Sequence, residues 1–273
     1  MQRSVLPGFG LAMGLTLSYL AIIVVLPLAA LLLKTAGLSA GQFWAIVSGP
    51  RAVATYVVTL SAASIATLFN TVYGFLLAWV LVRYDFPGRR FLDALVDLPF
   101  ALPTAVAGIS LTTLFAGTGW FGAPLSALGI DVAYTTLGIA VAMAFTSLPF
   151  VVRTLQPVME ELDDEAEQAA LTLGASDLQI FLRVLLPALA PALIAGAALA
   201  FARSLGEFGA VIFIAGNLPF ETEITALLAF IRLEEFDYPA AAALATVILG
   251  TAFAMLLVTN AAQLWLLRYA ERT

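Results

Sequence analysis

The chain has 273 residues, of which 62% are hydrophobic and 11% charged, and its mean hydropathy is +1.02. Soluble domains carry about 25% charged residues, so this composition excludes a soluble single domain and predicts a chain surrounded mostly by lipid. The absence of Cys and His excludes disulfides, Cys-ligated metal sites, thiol nucleophiles and the usual histidine base. The net charge of −6 leaves no basic surface for nucleic acid.

Charge-poor windows long enough to cross a bilayer occur six times along the chain. A helix needs about 20 apolar residues to cross the hydrocarbon core. The windows cover residues 11–33, 55–82, 98–116, 133–152, 187–215 and 240–267. We therefore predict an all-α membrane protein, with six transmembrane helices in one domain over residues 1–273. Prolines in several windows predict bent or broken helices: Pro99, Pro103, Pro149, Pro187 and Pro191.

The basic residues near the ends of the windows predict the orientation of the chain. If the N-terminus is cytoplasmic, the inner side collects Arg3, Arg83, Arg89, Arg90, Arg153, Arg183, Arg268 and Arg272. The outer side then holds only Lys34, Arg51 and Arg232. Because cytoplasmic loops are enriched in Lys and Arg, we predict that both termini are cytoplasmic.

Residues 153–187 form the longest polar stretch on the predicted inner side. Six acids stand within residues 160–167, followed by good helix formers and then Gly174, where a helix would end. Ser176 begins a second helical pattern, which Pro187 is predicted to end. Two short amphipathic helices hinged at Gly174 would project from the membrane and fit a groove on a soluble partner.

This stretch resembles the EAA loop of permease subunits of ATP-binding-cassette (ABC) importers. The resemblance rests on Ala169-Ala170, Gly174, Val184 and Leu186-Pro187 at the family's spacing. The first position of the motif is usually Glu, and here it is Gln168. By resemblance, the residues that contact an ATPase subunit are Gln168, Ala169, Ala170, Gly174, Leu186 and Pro187.

Further stretches resemble the sulfate/thiosulfate permease family, and within it the T-type subunits. They include Asp97-Leu98-Pro99-Phe100, Leu148-Pro149-Phe150 and Arg203-Ser204-Leu205-Gly206-Glu207. The resemblance implies a type I ABC importer permease in the bacterial inner membrane. It also implies four kinds of partner: a W-type permease, two ATPase subunits, a periplasmic sulfate/thiosulfate-binding protein and the lipid bilayer.

The chain lacks an ATP site of its own. A P-loop needs a Lys that follows Gly, and the only lysine, Lys34, follows Leu33. We therefore predict a non-enzymatic subunit without cofactors, with ATP and magnesium bound to the partner ATPase.

Arg203 and Glu207 lie four positions apart inside the fifth window, where an unpaired charge costs several kcal/mol (from about 2.5). On a helix the two side chains can pair along one face. The pair either joins helices or, with Ser204, Gly206 and Thr104, lines or gates a translocation pathway.

Other functions remain open at this point. A molybdate or tungstate permease would share the architecture and differ in cargo. A proton-coupled secondary anion transporter could use Arg203 and Glu207 but would leave the EAA motif without a purpose. An intramembrane hydrolase is disfavoured, because the chain has no His and no aspartate inside the six windows; Asp97 directly precedes the third.

Overall fold

The computed structural model describes residues 8–162 and 164–270, and within them the chain is helical and contains no strand. The helices, in chain order, are α1 Phe9–Ala36, α2 Ala40–Val47, α3 Pro50–Arg83, α4 Arg89–Val96, α5 Leu98–Ala101, α6 Thr104–Phe115, α7 Gly122–Ala127, α8 Thr136–Glu160, α9 Asp164–Thr172, α10 Asp177–Leu205, α11 Val211–Ile214, α12 Thr225–Glu234 and α13 Tyr238–Ala270.

Five described helices are long and apolar enough to cross a membrane: α1, α3, α8, α10 and α13. The third predicted window, residues 98–116, is not one long helix. It divides into α5 and the 12-residue α6, separated by the extended residues Leu102 and Pro103. Since Pro103 lacks an N–H and disfavours a helical residue before it, the chain is extended at this point. At 1.5 Å per residue, α6 is about 18 Å long.

The prediction that Pro187 ends a helix is wrong, because α10 continues through this residue to Leu205. A proline ring clashes with the carbonyl group four residues before it. In α10 that carbonyl belongs to Arg183, within the π-helical turn Phe181–Leu185. The same arrangement occurs in α1, where the π-turn Ala21–Val25 precedes Pro27. The wider turn shifts the hydrogen bonds by one residue, so the helix accommodates the proline without ending.

Helices α3, α8 and α10 form the centre of the bundle. The Nδ2 of Asn70 on α3 donates to the Ser147 hydroxyl on α8, and Gly74 lies one turn further along against Val151. The contacts therefore advance in the same direction along both helices, so α3 and α8 run parallel. Helix α10 runs antiparallel to α8, because Ser204 contacts Ser147 whereas Gly196 lies against Val151.

The first and last long helices flank this centre. The Nε2 of Gln263 on α13 donates to the Pro191 carbonyl on α10 at 3.1 Å. The hydroxyls of Thr35 on α1 and Thr246 on α13 are 2.9 Å apart. No residue of α1 is buried in the single chain, so apart from its contact with α13 this helix is open to lipid or to another subunit.

Candidate functional site

Helix α10 ends at Leu205, and the chain stays non-helical over residues 206–210 before α11 begins. Within this break, the side chain of Glu207 is 1% exposed. Its Oε1 accepts a hydrogen bond from the Ala210 backbone N–H at 2.9 Å. Its Oε2 lies 2.7 Å from Nη1 of Arg203, whose side chain is 33% exposed. Arg203 therefore compensates the charge of the carboxylate, and the hydrogen bond from Ala210 holds the backbone of residues 207–210 in its turn.

The buried carboxylate of this ion pair lies near the middle of the bundle. Ser204, adjacent to Arg203, is fully buried and donates to the Ser147 hydroxyl at 3.2 Å. Ser147 lies close to the middle of α8, which covers residues 136–160. The break after α10 therefore lies at about the level of the middle of α8.

Helix α6 crosses this break with almost no space between the two backbones. A Cβ at Gly108 would overlap the Ala210 carbonyl oxygen and lie 2.9 Å from the Ala210 Cα. A Cβ at Gly209 would overlap the Thr104 hydroxyl in the same way. Both glycines are therefore required by close approach, and they place the beginning of α6 against the break.

Four residues that the sequence pointed to lie at the end of α10 and in the break after it: Arg203, Ser204, Gly206 and Glu207. The fifth, Thr104, lies against Gly209 within the same break. Asn70 joins them through Ser147, and the sequence analysis missed it. Its side chain is buried, and its Oδ1 has no hydrogen-bond partner among the described residues. The signal was available, because Asn70 is the only side-chain amide in the window 55–82.

A second candidate region is the α9–α10 segment, residues 164–185. Helix α9 ends in a Schellman motif: Gly174 has φ +82°, its N–H bonds the Leu171 carbonyl, and the Ala175 N–H bonds the Ala170 carbonyl. Ser176 and Gln179 form a capping box that begins α10. The turn between the two helices is therefore specified by local hydrogen bonds.

The α9–α10 segment leaves large apolar side chains in solvent. Leu173 is 88% exposed, and three further leucines are at least half exposed: Leu171, Leu178 and Leu182. Gln168 and Ala169 are exposed, whereas Ala170 is half-buried. Leu186 and Pro187 lie further along, beyond the π-turn in the body of α10. An exposed apolar surface of this kind, on a segment that the sequence predicts to project from the membrane, is typical of a protein–protein contact.

Two other groups of charged residues are occupied by internal contacts. On the predicted inner side, Arg153 donates to Asp93 and Asp97, and thereby ties α4 to α8. The hydrogen bond from Arg153 lowers the pKa of Asp93. On the predicted outer side, Arg51 holds the buried Glu223 in a bidentate pair at 2.6 and 2.8 Å. Within residues 8–162 and 164–270, no three Asp or Glu side chains are grouped so that they could hold a metal ion.

Comparisons with known proteins agree on one family. Residues 70–266 match the model of the "Binding-protein-dependent transport system inner membrane component" family. The sulfate transport system permease protein CysT of Salmonella typhimurium is 59% identical over 262 residues, which cover 96% of this chain and 95% of that protein. The CysT protein of Synechocystis sp. is 52% identical over 256 residues, covering 94% and 90%.

Solved structures share the fold at low sequence identity. A chain of a bacterial ABC transporter involved in the import of the acidic polysaccharide alginate has a TM-score of 0.74 and 17% identity, with 94% of this chain and 95% of that chain covered. A chain of the alginate transporter in complex with its pentasaccharide-bound periplasmic protein has a TM-score of 0.73 and 20% identity, covering 91% of each. The chain is therefore a multi-pass protein of the bacterial inner membrane that belongs to the family of binding-protein-dependent transport system inner membrane components.

Proposed function

We propose that this chain is the T-type permease subunit of an ATP-driven importer of sulfate and thiosulfate. One structural observation carries the mechanism: α10 runs without interruption from the exposed α9–α10 segment to the buried Arg203–Glu207 pair. Its 29 residues correspond to about 43 Å of helix. A displacement at one end of such a helix reaches the other end, since the helix has no break in between. The identity of 50–60% to CysT proteins supports sulfate as the cargo.

The chain crosses the membrane six times in this proposal, with both termini in the cytoplasm. Parallel packing of α3 and α8 supports the count, because the chain must cross the bilayer once between two parallel helices. Helix α6 makes this third crossing together with α5 and the extended residues around it. The beginning of α6 packs against the break after α10, so its backbone groups there face protein and not lipid.

Coupling to ATP takes place at the α9–α10 segment. Its exposed leucines, together with Gln168, Ala169, Ala170 and Gly174, enter a groove on an ABC ATPase subunit, which binds ATP and magnesium. Leu186 and Pro187 continue the contact into α10. Two ATPase subunits serve this chain and a W-type permease, one for each. When nucleotide draws the ATPases together, the two segments approach each other and the pore changes from inward-facing to outward-facing.

The break in α10 forms the gate of the pathway. Contact between α6 and residues 209–210 leaves no room for an anion in the present conformation. Movement of α10 separates these backbones and opens a path beside Arg203, whose side chain is already one-third exposed and keeps Glu207 as its partner. A guanidinium that keeps its carboxylate partner attracts a sulfate dianion only weakly, so the anion passes without being trapped. The Thr104 hydroxyl lies at the same break. The Ser204 hydroxyl and the Gly206 N–H become donors to the anion when the movement releases them from Ser147 and from the Ser204 carbonyl.

High-affinity recognition belongs to a separate periplasmic sulfate- and thiosulfate-binding protein. The outer face of this chain offers three exposed carboxylates for docking it: Glu221, Glu234 and Glu235. Glu223 does not contribute, because it is buried against Arg51.

The test is uptake of labelled sulfate into liposomes that contain this chain, its W-type partner and the ATPase, with the binding protein outside. We expect uptake to require ATP and every subunit, and to be inhibited by thiosulfate but not by molybdate. Inhibition by molybdate would assign the chain to molybdate or tungstate instead. Uptake by this chain alone under a proton gradient would make it a secondary transporter and contradict the proposal.

A further inference from the structure

One stripe of α3 contacts both helices of the α9–α10 segment. Phe75, Trp79 and Arg83 are spaced four residues apart, so they lie on one face of α3. Trp79 and Phe75 both meet the ring of Phe181, with centroid distances of 5.7 and 6.0 Å in edge-to-face geometry. Phe181 is the first residue of the π-turn in α10. The aromatic contact thus joins α3 to α10 at the π-turn, near the end of the α9–α10 segment.

Arg83 extends the same stripe to α9. Its guanidinium carbon lies 5.2 Å from the centre of the Trp79 ring, and the guanidinium forms an ion pair with Glu167. The side chains of Arg83 and Glu167 are 22% and 23% exposed. This pair is better shielded from water than an ordinary surface pair, and stacking on Trp79 fixes the orientation of the guanidinium.

Glu167 directly precedes Gln168, which occupies the motif position that is usually Glu. The carboxylate of Glu167 points to α3 and not to the exposed leucine surface. The acidic residue next to the motif is therefore used within the chain.

We propose that Phe75, Trp79, Arg83, Glu167 and Phe181 form a clamp, which makes the α9–α10 segment and the inner end of α3 move as one body. The inference rests on the proposed function, because it names the second helix that receives the motion of the ATPase. Helix α10 receives this motion through the continuous backbone, and α3 receives it through the clamp. Since α3 holds Asn70 against Ser147, the clamp links the segment to the bundle centre by a second route. Arg83 and Glu167 are positioning residues that act through α3.

The first experiment compares sulfate transported per ATP hydrolysed in the complete reconstituted complex. E167Q keeps the shape of the side chain but removes the charge, and we expect the ratio to fall roughly fivefold, the upper range for partly exposed ion pairs. ATP hydrolysis is measured in the same complexes, so the ratio does not depend on how much complex each sample contains. E161Q and R90Q remove exposed charges on the same side of the membrane, and the ratio should stay at the parent value. The R83Q/E167Q double variant should be no worse than R83Q, because both changes break the same pair.

A ratio in E167Q equal to that in E161Q would overturn the clamp while leaving the proposed function intact. An unmodified complex without ATP-dependent uptake would instead overturn the proposed function.

A second experiment measures the clamp itself and does not depend on transport or on the amount of complex. The chain contains no cysteine, so spin labels can be attached to Tyr84→Cys at the end of α3 and Thr172→Cys at the end of α9. We expect one narrow distance distribution, identical in the nucleotide-free and nucleotide-trapped complexes. Adding E167Q should broaden it, and adding E161Q should not. A distance that changes with nucleotide, or a distribution that E167Q leaves narrow, would contradict the clamp.

Discussion

Glycine is needed both in the centre of the bundle and in the α9–α10 segment, but for different physical reasons. In the centre, α6 packs against the break that follows α10. Gly108 is needed there because a Cβ would overlap the Ala210 backbone. In the segment, Gly174 has open space around it and is needed because its φ is +82°. Glu207 in the centre is 1% exposed, whereas Leu173 in the segment is 88% exposed. The centre is completed by its own chain, and the segment is left for a partner to cover.

This difference separates the stability of the chain from its activity. A change in the centre disturbs contacts that hold the bundle together, so both the free energy of unfolding and transport should respond. A change at the exposed face of the segment removes few internal contacts, so transport should respond while the bundle stays folded. The following variants test this division in order of their expected effect on unfolding.

Gly108→Val should have the largest effect. The new side chain would collide with the Ala210 backbone, and overpacking of this kind costs about 3 kcal/mol. Denaturant unfolding in detergent should show this loss, and transport should be abolished. Gly250→Val is the matched control, because nothing lies within 4 Å of a Cβ at Gly250. Equal stability of the two variants would mean that α6 does not pack against the break.

Glu207→Gln should come next. It keeps a hydrogen-bond acceptor for the Ala210 N–H but leaves Arg203 without its counter-charge. Breaking a buried pair costs 3–5 kcal/mol, and because Arg203 is one-third exposed we expect about 2 kcal/mol. The control is Glu235→Gln, which breaks the exposed Arg232–Glu235 pair at 2.9 Å. The same unfolding titration should show almost no change in the control. A similar loss of unfolding free energy in both variants would mean that burial does not make the Arg203–Glu207 pair more important than the exposed one.

The regions that these two variants probe differ in how well they can be predicted from the sequence. The Arg203–Glu207 contact was predicted from a separation of four residues on one helix, and the pair forms even though α10 ends at Leu205 and Glu207 lies just beyond it. The five long helices follow from length and lack of charge. The contact of Thr104 with Gly209 joins two separate windows, and only the packing of α6 on the break brings these residues together.

The misses have physical causes as well. Pro187 looked like a helix end because a proline removes a hydrogen bond, but the π-turn before it redistributes the remaining bonds. The window 98–116 looked like one helix because hydropathy does not detect the extended Leu102 and Pro103. Asn70 was missed because a single amide hardly changes the hydropathy of a long window, although its buried hydrogen bonds join α3 to α8.

Gly174→Val tests the other region and should have a smaller effect on unfolding. A β-branched residue disfavours positive φ, so the turn would lose about 1 kcal/mol or change its geometry. Because this turn orients the leucine surface, sulfate uptake should fall strongly while the protein remains in the membrane. Gly174→Asn should retain most of the uptake, since Asn tolerates this conformation. Normal uptake by the Val variant would show that the shape of the turn does not matter for coupling.

The smallest effect is expected for Asp93, whose contact with Arg153 is partly exposed and lies on the predicted inner side. The hydrogen bond from Arg153 lowers the pKa of Asp93 in the folded state below its value in the unfolded chain, about 3.9. The stabilisation is therefore complete above the unfolded-state pKa and is lost as the pH falls through the folded-state pKa. Since the Asp93 side chain is 44% exposed, screening limits the contribution to less than about 1 kcal/mol. Unfolding measured from pH 7 down to pH 3 should show a shallower decline for Asp93→Asn than for the parent chain. If the two curves instead remained parallel throughout, the Asp93–Arg153 pair would contribute nothing to the free energy of unfolding, and the contrast with the buried Glu207 would be sharper still.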